Sequence, residues 1–311
     1  MSELYLAAQK LDQSPEPLPR FPSDVCKGPL LSPKDALAGC AGGVVAVLLG
    51  QPFDLIRVHL QTSKSRRILS VVRDKWVQEG PLAFYKGAAV PFLGAGVSVG
   101  IQFFTFHSLR QAFENRNPGK QLSLAQYYLC GGAAGIANSL ISCPSEHIRT
   151  RLQLQPAGAG RLYDGPRDCI RQIVAKAGWR GLFKAYPIAT LKEFQAFGCY
   201  FAAFEAGMTG LGYLRSKQRK EMTVWETVPC GALGGIAFWV GSFPLDVVKT
   251  RLQNDGFGAE AKYRNTRAAV VDVWRESGMM GFWRGLSTTL VRTSLSSAGC
   301  FAVVEQVRKL G

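Results

Sequence analysis

Three stretches decide how this chain folds: QPFDLIRVHLQ at Gln51–Gln61, CPSEHIRTRLQ at Cys143–Gln153 and FPLDVVKTRLQ at Phe243–Gln253. Each holds a proline, an acid two residues on, a base three further, and Leu-Gln at its end. A small-residue run precedes each proline, and its last glycine (Gly43, Gly135, Gly235) lies nine residues before Pro52, Pro144 and Pro244 alike. A third marker follows downstream: Tyr85-Lys86-Gly87, Phe183-Lys184-Ala185 and Trp283-Arg284-Gly285. The prolines recur at intervals of 92 and 100 residues and the aromatic-base pairs at 98 and 100, so three markers stay in step. Self-similarity at a fixed period is the signature of a tandem repeat whose units share one core.

The motif Pro-x-Asp/Glu-x-x-Lys/Arg-x-Lys/Arg-x-Gln, followed by aromatic-Lys/Arg-Gly, resembles the repeat of the mitochondrial carrier family over about residues 32 to 310. Two positions depart from it: His59 stands for the second base of the first repeat, and Ala185 for the glycine of the second. The resemblance implies an all-α membrane protein of six transmembrane helices in three pseudo-threefold repeats with short matrix surface helices. The expected division is a disordered tail at 1–31 and repeats at 32–118, 119–215 and 216–311, folded as one domain.

Composition agrees with helices around a polar interior. Hydrophobic residues make up 47% of the 311, yet mean hydropathy is only +0.04, low for a helical membrane protein. The formal net charge is +15, but no basic run interleaved with aromatics points to nucleic acid. An anionic membrane surface and anionic substrates are the better partners for that excess. The eight cysteines form no CxxC and no His-Cys cluster, so neither a metal nor another cofactor is expected. The first 31 residues hold four acids against three bases, which is not the Arg-rich, acid-poor pattern of an import presequence. The family is usually imported through internal signals.

Each repeat reads as long helix, short surface helix, long helix. The long helices are expected near 34–62, 87–113, 123–155, 185–213, 222–254 and 285–309, and the surface helices near 64–76, 163–177 and 263–277. Each long helix exceeds the roughly 20 residues a bilayer requires. An even number of spans puts both termini on one side, which in the family is the intermembrane space. Proline inside a span kinks it, and the glycine runs let backbones approach closely.

Intramembrane charges are costly and so pair or face water. The first helix of each repeat carries an acid and a base at matched depth, and threefold arrangement lets each acid meet the base of another repeat: Asp54 with Arg149, Glu146 with Lys249, Asp246 with Arg57. The resemblance implies that this ring closes the matrix side, braced by Gln61, Gln153 and Gln253. Counting 21 and 24 residues from Lys86, Lys184 and Arg284 gives His107, Glu205 and Glu305, then Arg110, Met208 and Arg308. The same cyclic rule pairs Glu205 with Arg308 and Glu305 with Arg110 as a cytoplasmic gate, while His107 and Met208 cannot form an ion pair. Three matrix pairs against two cytoplasmic ones predict an empty carrier that favours the state open to the cytoplasm.

Counting eight residues from the same bases gives Gly94, Lys192 and Arg292, the family's substrate-contact positions. Arg292 is suited to hold a carboxylate in a bidentate fork, and Glu193 to take an ammonium, with Lys192 as second cation or as its partner. A base followed by an acid here, within LKEFQAFG at 191–198, resembles the carnitine, ornithine and amino-acid branch and its fungal members. The neighbouring positions Gly94, Ser98 and Gln102 add no acid, which argues against a strongly cationic substrate.

The expectation is a monomeric inner-membrane transporter of a small zwitterionic or anionic metabolite, an amino acid or carnitine-like, exchanged by alternating access. The aromatic-base-glycine triplets are expected to begin helices whose free N–H groups suit an anion, a cardiolipin phosphate in the family. The rival readings are a carrier for another small carboxylate, an uncoupling or non-transporting adaptor on the same fold, and an enzyme. Against the last, no Ser-His-Asp, paired-carboxylate or metal set stands out.

Overall fold

The computed structural model describes residues 33–62, 68–116, 122–156, 160–215 and 224–296. The expected tail at 1–31, and the gate residues Glu305 and Arg308, lie outside them. The described residues are helical throughout, in the expected order. The first repeat contributes α1 (Pro33–Thr62), α2 (Ile68–Glu79) and α3 (Ala89–Arg116). The second contributes α4 (Leu124–Leu154), α5 (Pro166–Ala177) and α6 (Tyr186–Arg215). The third contributes α7 (Val224–Asn254), α8 (Thr266–Ser277) and α9, described over 286–296. At 1.5 Å per residue the 28 to 31 residues of the complete long helices reach about 42–47 Å. By length and apolarity alone Gly43–Thr62 and Glu226–Asn254 qualify as spans. The ends of the second repeat's helices fall within three residues of the expected bounds because its signals are local. Ser123 caps α4, accepting from Gln126 N while the Gln126 side chain accepts from Ser123 N at 2.8 Å. Pro166 opens α5 at the first turn, where its missing N–H costs nothing.

Pro52, Pro144 and Pro244 lie inside α1, α4 and α7. The residue before each of the first two turns toward the base of its own repeat's third marker: Gln51 Nε2 donates to Lys86 O at 2.8 Å, and Cys143 Sγ lies 3.9 Å from Lys184 O. The odd helix is thereby tied to the even helix at its matrix end. Inside the second repeat the glycine run packs as read from the sequence. A Cβ at Gly131 would lie 2.5 Å from Phe197 O and 2.7 Å from the Phe201 ring, so only glycine admits α6 at this distance.

The first surface helix is described from Ile68, where Arg73 and Lys75 balance Asp74 and Glu79; the expected start at Lys64 and the basic residues before Ile68 lie outside the described residues. The aromatic-base-glycine triplets stand at helix starts as expected: α3, α6 and α9 open one or two residues later, and the carbonyls of Ala185 and Gly285 accept from Ala189 N at 2.9 Å and Thr289 N at 3.2 Å. Lys86, Lys184 and Arg284 close short 3-10 turns at Pro81–Tyr85, Trp179–Phe183 and Met279–Trp283. The next residue then takes a left-handed backbone: Gly87 at φ 77°, Ala185 at φ 64° and Gly285 at φ 92°. Glycine adopts this freely, whereas alanine crowds its Cβ against the carbonyl. The reversal is needed because the start of the even helix presses on another repeat. A Cβ at Gly87 would meet Arg149 O at 3.4 Å, and one at Gly285 would meet Arg57 Cγ at 3.5 Å.

The core is divided in the same way. One buried cluster joins Ile188 of α6 to Phe243, Val247 and Val273 of the third repeat, with Ala185 packed on it; a second joins Val90 of α3 to Ile148, Leu152 and Ile173 of the second. The first and second repeats therefore each complete the core of the repeat that follows.

Candidate functional site

All three expected ion pairs are present where the proline-kinked helices converge. Arg149 Nη2 donates to Asp54 Oδ2 at 2.5 Å. Arg57 pairs with Asp246 and Lys249 with Glu146, both in direct contact. Asp54, Asp246 and Lys249 are buried, whereas the Glu146 side chain keeps 36% of its surface exposed. Repeat symmetry places these six side chains; the kink after residues 51, 143 and 243 aims them at one another.

The glutamines do not follow the symmetry. Gln61 Nε2 donates to Asp246 Oδ2 at 2.7 Å, as a brace should. Gln253 Nε2 instead points to Cys143 O at 3.5 Å, and Gln153 Nε2 is buried without a partner. The expected bracing by Gln153 and Gln253 is thus corrected. The acids they would reach are already taken by cations from the layer above. Arg292 places Nη1 3.4 Å from Asp54 Oδ2 and Nε 3.2 Å from Oδ1. Lys192 Nζ lies 3.8 Å from Glu146 Oε1 and contacts Glu193 directly. Lys192 and Glu193 form the expected local pair, both buried. Arg292 differs from expectation: its fork is turned onto a ring acid rather than left open.

Other expected residues sit as follows. Gly94 falls within α3, and Ser98 and Gln102 are half-buried on the same helix. Arg110 Nε donates to Glu114 Oε1 at 2.8 Å along its own helix, and Glu205 is buried on α6. Their expected partners Glu305 and Arg308 are outside the described residues. His147, fully buried, accepts from Arg151 Nε at 2.7 Å through Nε2 and faces Leu182 O at 3.3 Å through Nδ1. That is a packed, partnered imidazole, in keeping with a structural role.

Two side chains were missed in the sequence. Gln51 accepts from Arg149 Nη2 at 2.5 Å, so it holds the base of the Asp54 pair. Trp239 lies under two guanidiniums, Arg57 at 4.3 Å and Arg292 at 5.8 Å from its ring centroid. Its counterparts in the other repeats are Val47 and Ser139, so comparison of repeats flags it only as a break in symmetry. Cation–π stacking of this kind gains strength when desolvated.

Below the ring, the second bases tie repeats together through helix ends. Arg251 Nε donates to Gln61 O at 3.0 Å and Arg151 Nη2 to Asp255 O at 2.6 Å, each reaching the last turn of another repeat's odd helix. His59, in the same position, bonds only its own helix, at Leu55 O, 2.9 Å. Lys184 joins the second junction, donating to Asp255 O at 2.7 Å and to Gly256 O. Burial pushes its ammonium down to about 8, partly offset by Asp255. At the first junction a cavity of about 430 Å³ opens between Tyr85-Lys86-Gly87 and Arg161, Gly165 and Pro166. No group of His, Cys, Asp and Glu suited to a metal occurs among the described residues.

Comparison with known proteins agrees with this geometry. A family model described as "Mitochondrial carrier protein" matches residues 29–117, 120–213 and 220–311. The chain is 38% identical over 282 residues to the glutamate/glycine mitochondrial carrier of Schizosaccharomyces pombe, covering 89% of this chain and 94% of that protein. It is 36% identical over 283 residues to the mitochondrial glycine transporter of Saccharomyces cerevisiae, covering 89% and 91%. It is 36% identical over 278 residues to the human mitochondrial basic amino acids transporter, covering 88% and 89%.

Proposed function

Since the chain belongs to the mitochondrial carrier family, whose members are transporters and not enzymes, we propose that it exchanges amino acids across the mitochondrial inner membrane. It is a multi-pass protein of that membrane, and our reading turns both termini toward the intermembrane space because the number of spans is even. The observation that carries the reading is the layer directly above the ion-pair ring: Arg292 and Lys192 as cations, with Glu193 beside them as an acid. An amino acid presents carboxylate and ammonium at short range, and such a set can take both. A carnitine has no N–H to donate to Glu193, so an amino acid is the better fit. Ser98 and Gln102, with Gly94, bring no further acid to α3, which disfavours lysine- or arginine-like substrates despite the relatives that carry basic amino acids.

The ring closes the matrix side in the empty protein, with Asp54–Arg149, Glu146–Lys249 and Asp246–Arg57 as its latches. Arg110 and Glu205, with Glu305 and Arg308, close the other side after loading. A ligand shifts such an equilibrium only by its differential affinity for the two states. Apart from Glu146, whose side chain keeps 36% exposure, the acids of the ring are buried, so parting the pairs is costly and the substrate's contacts must offset that cost. The start of α3 and α5 at the first junction, with Lys86 and Arg161, offers cardiolipin phosphate a basic rim and free N–H groups.

The test is reconstitution of the purified carrier in liposomes containing cardiolipin, with uptake of labelled amino acids measured with and without internal amino acid. The expected result is saturable uptake that needs internal substrate and is lost in Glu193→Gln. Uptake of keto acids or acylcarnitines with no amino-acid uptake would overturn the reading; uptake without internal substrate would replace exchange by uniport.

A further inference from the structure

The ring acids do not hold their cations alike. Asp54 has its own base, Arg149, at 2.5 Å, and a second cation, Arg292, at 3.2 and 3.4 Å; the closer nitrogen, Nε, makes no hydrogen bond. Glu146 contacts Lys249 directly and has Lys192 at 3.8 Å. In both pairs the second cation belongs to the substrate layer and is the looser of the two. Asp246 has Gln61 in that place. Gly50 makes room for the crossing: a Cβ there would lie 2.8 Å from Ser296 Oγ and 3.4 Å from Arg292 Nη1.

Charge counting sharpens the substrate. In the ring, Asp54, Glu146 and Asp246 cancel Arg57, Arg149 and Lys249. In the layer above, Arg292 and Lys192 against Glu193 leave one positive charge. Resting on the amino-acid reading above, we propose that Arg292 and Lys192 are shared cations, bound to Asp54 and Glu146 in the empty carrier and handed to the substrate on loading, and that the substrate they fit is an amino acid with two carboxylates and one ammonium.

One carboxylate takes Arg292 in a bidentate fork, which a guanidinium accepts better than an ammonium does. The other takes Lys192, and the ammonium takes Glu193, so the layer is neutralised group for group. Asp54 and Glu146 each lose a supporting cation at that moment, and the ring weakens at two of its three pairs. The Asp246–Arg57 pair keeps its contact partners, Gln61 and Trp239, loses only the more distant field of Lys192, and opens last. An amino acid with a single carboxylate reaches only one of the shared cations. It leaves the other in the ring, so it moves the gate less and exchanges more slowly.

Two measurements decide this. In liposomes, exchange of glutamate and aspartate is compared with that of glutamine, which keeps the shape of glutamate and drops one charge, and of glycine. The expected kcat/KM for glutamine and glycine is at least tenfold below that for glutamate; equal values would overturn the two-carboxylate assignment. For the ring, spin labels at Leu69, Arg171 and Val271, exposed on the three matrix helices, report its width by pairwise distances in a carrier otherwise free of cysteine. Without substrate, Arg292→Gln and Lys192→Gln are expected to shift these distances toward the longer values that saturating glutamate produces in the parent. Arg292→Lys, which keeps the charge, is expected to retain most of the short population. Unchanged distances in both glutamine variants would show that these cations serve the substrate alone and overturn sharing. If no amino acid is exchanged, the transport reading and the two-carboxylate assignment built on it fail, while the distances of the empty variants still decide the sharing.

Discussion

The Asp54 and Asp246 pairs occupy equivalent positions in the repeat and are built differently. Asp54 is flanked by two cations, Arg149 and Arg292; Asp246 is flanked by one, Arg57, together with the amide of Gln61. The brace and the shared cation exclude each other, because both need the same carboxylate oxygens. A ring that looks threefold in sequence therefore holds one pair braced by an amide and two with a second cation nearby; on our proposal only those two answer to the substrate. Removing each acid separates the two kinds. Breaking a buried pair by deleting one partner costs about 3–5 kcal/mol. Asp54→Ala strips two cations of their carboxylate, leaving Arg149 on Gln51 and Arg292 5.8 Å from the Trp239 centroid, whereas Asp246→Ala strips one, Arg57, which stays stacked on Trp239 at 4.3 Å. Thermal unfolding of the purified carrier should show the larger loss for Asp54→Ala. Adding Arg292→Gln should restore part of it, though Arg292→Gln alone destabilises. Such a reversal of sign is not expected between Arg292 and Asp246.

A smaller effect tests the brace. A hydrogen bond to a charged group contributes about 1.5–3 kcal/mol. Gln61→Ala should lower the unfolding temperature accordingly, while Gln153→Ala, whose Nε2 has no partner, should leave it unchanged or raise it slightly. Equal losses at the two positions would return the ring to symmetry.

The sequence made the ring pairs legible because six charges at one depth on three like helices allow only two cyclic pairings, and the one that joins each acid to the next repeat's base is the one found. The helix ends of the second repeat were legible because Ser123, Gln126 and Pro166 act within a turn of themselves. Gln51, Trp239 and the sharing of Arg292 were not, since each depends on two layers meeting in space. Symmetry misled at Gln153 and Gln253, which have the right residue at the right spacing but face carboxylates already occupied. At the triplets the helix start was legible, but not the left-handed backbone at Gly87, Ala185 and Gly285 by which the chain enters it.

That turn offers a third contrast, of about 1–2 kcal/mol, the cost of a left-handed backbone for a residue with a Cβ. Gly87→Ala and Gly285→Ala should each destabilise by about that amount in thermal unfolding. Ala185 already bears this strain at φ 64° and packs on the core of the third repeat. Ala185→Gly relieves about 1–2 kcal/mol, but loses about 0.8 kcal/mol of burial and gains about 0.4–1 kcal/mol of unfolded-chain freedom that opposes folding. The net change should be near zero. A destabilisation there equal to that at Gly87 would show that the second repeat has rebuilt its turn around the methyl group.

A pH-dependent effect separates the junctions below the ring. At the second junction Lys184 is buried against Asp255 and Gly256, with its ammonium pushed from 10.5 down to about 8. Between these values the unfolded chain holds the proton more firmly than the folded one, so folding gains stability as pH rises from about 8 toward 10.5 and loses it as pH falls through 8. Unfolding temperatures of the parent and of Lys184→Gln, compared across that window, isolate the contribution from every other titrating group. The parent should gain on the variant as pH rises. If the difference runs the other way, the bonds from the ammonium to the helix-end carbonyls outweigh its desolvation, and the second junction is held by charge rather than by burial.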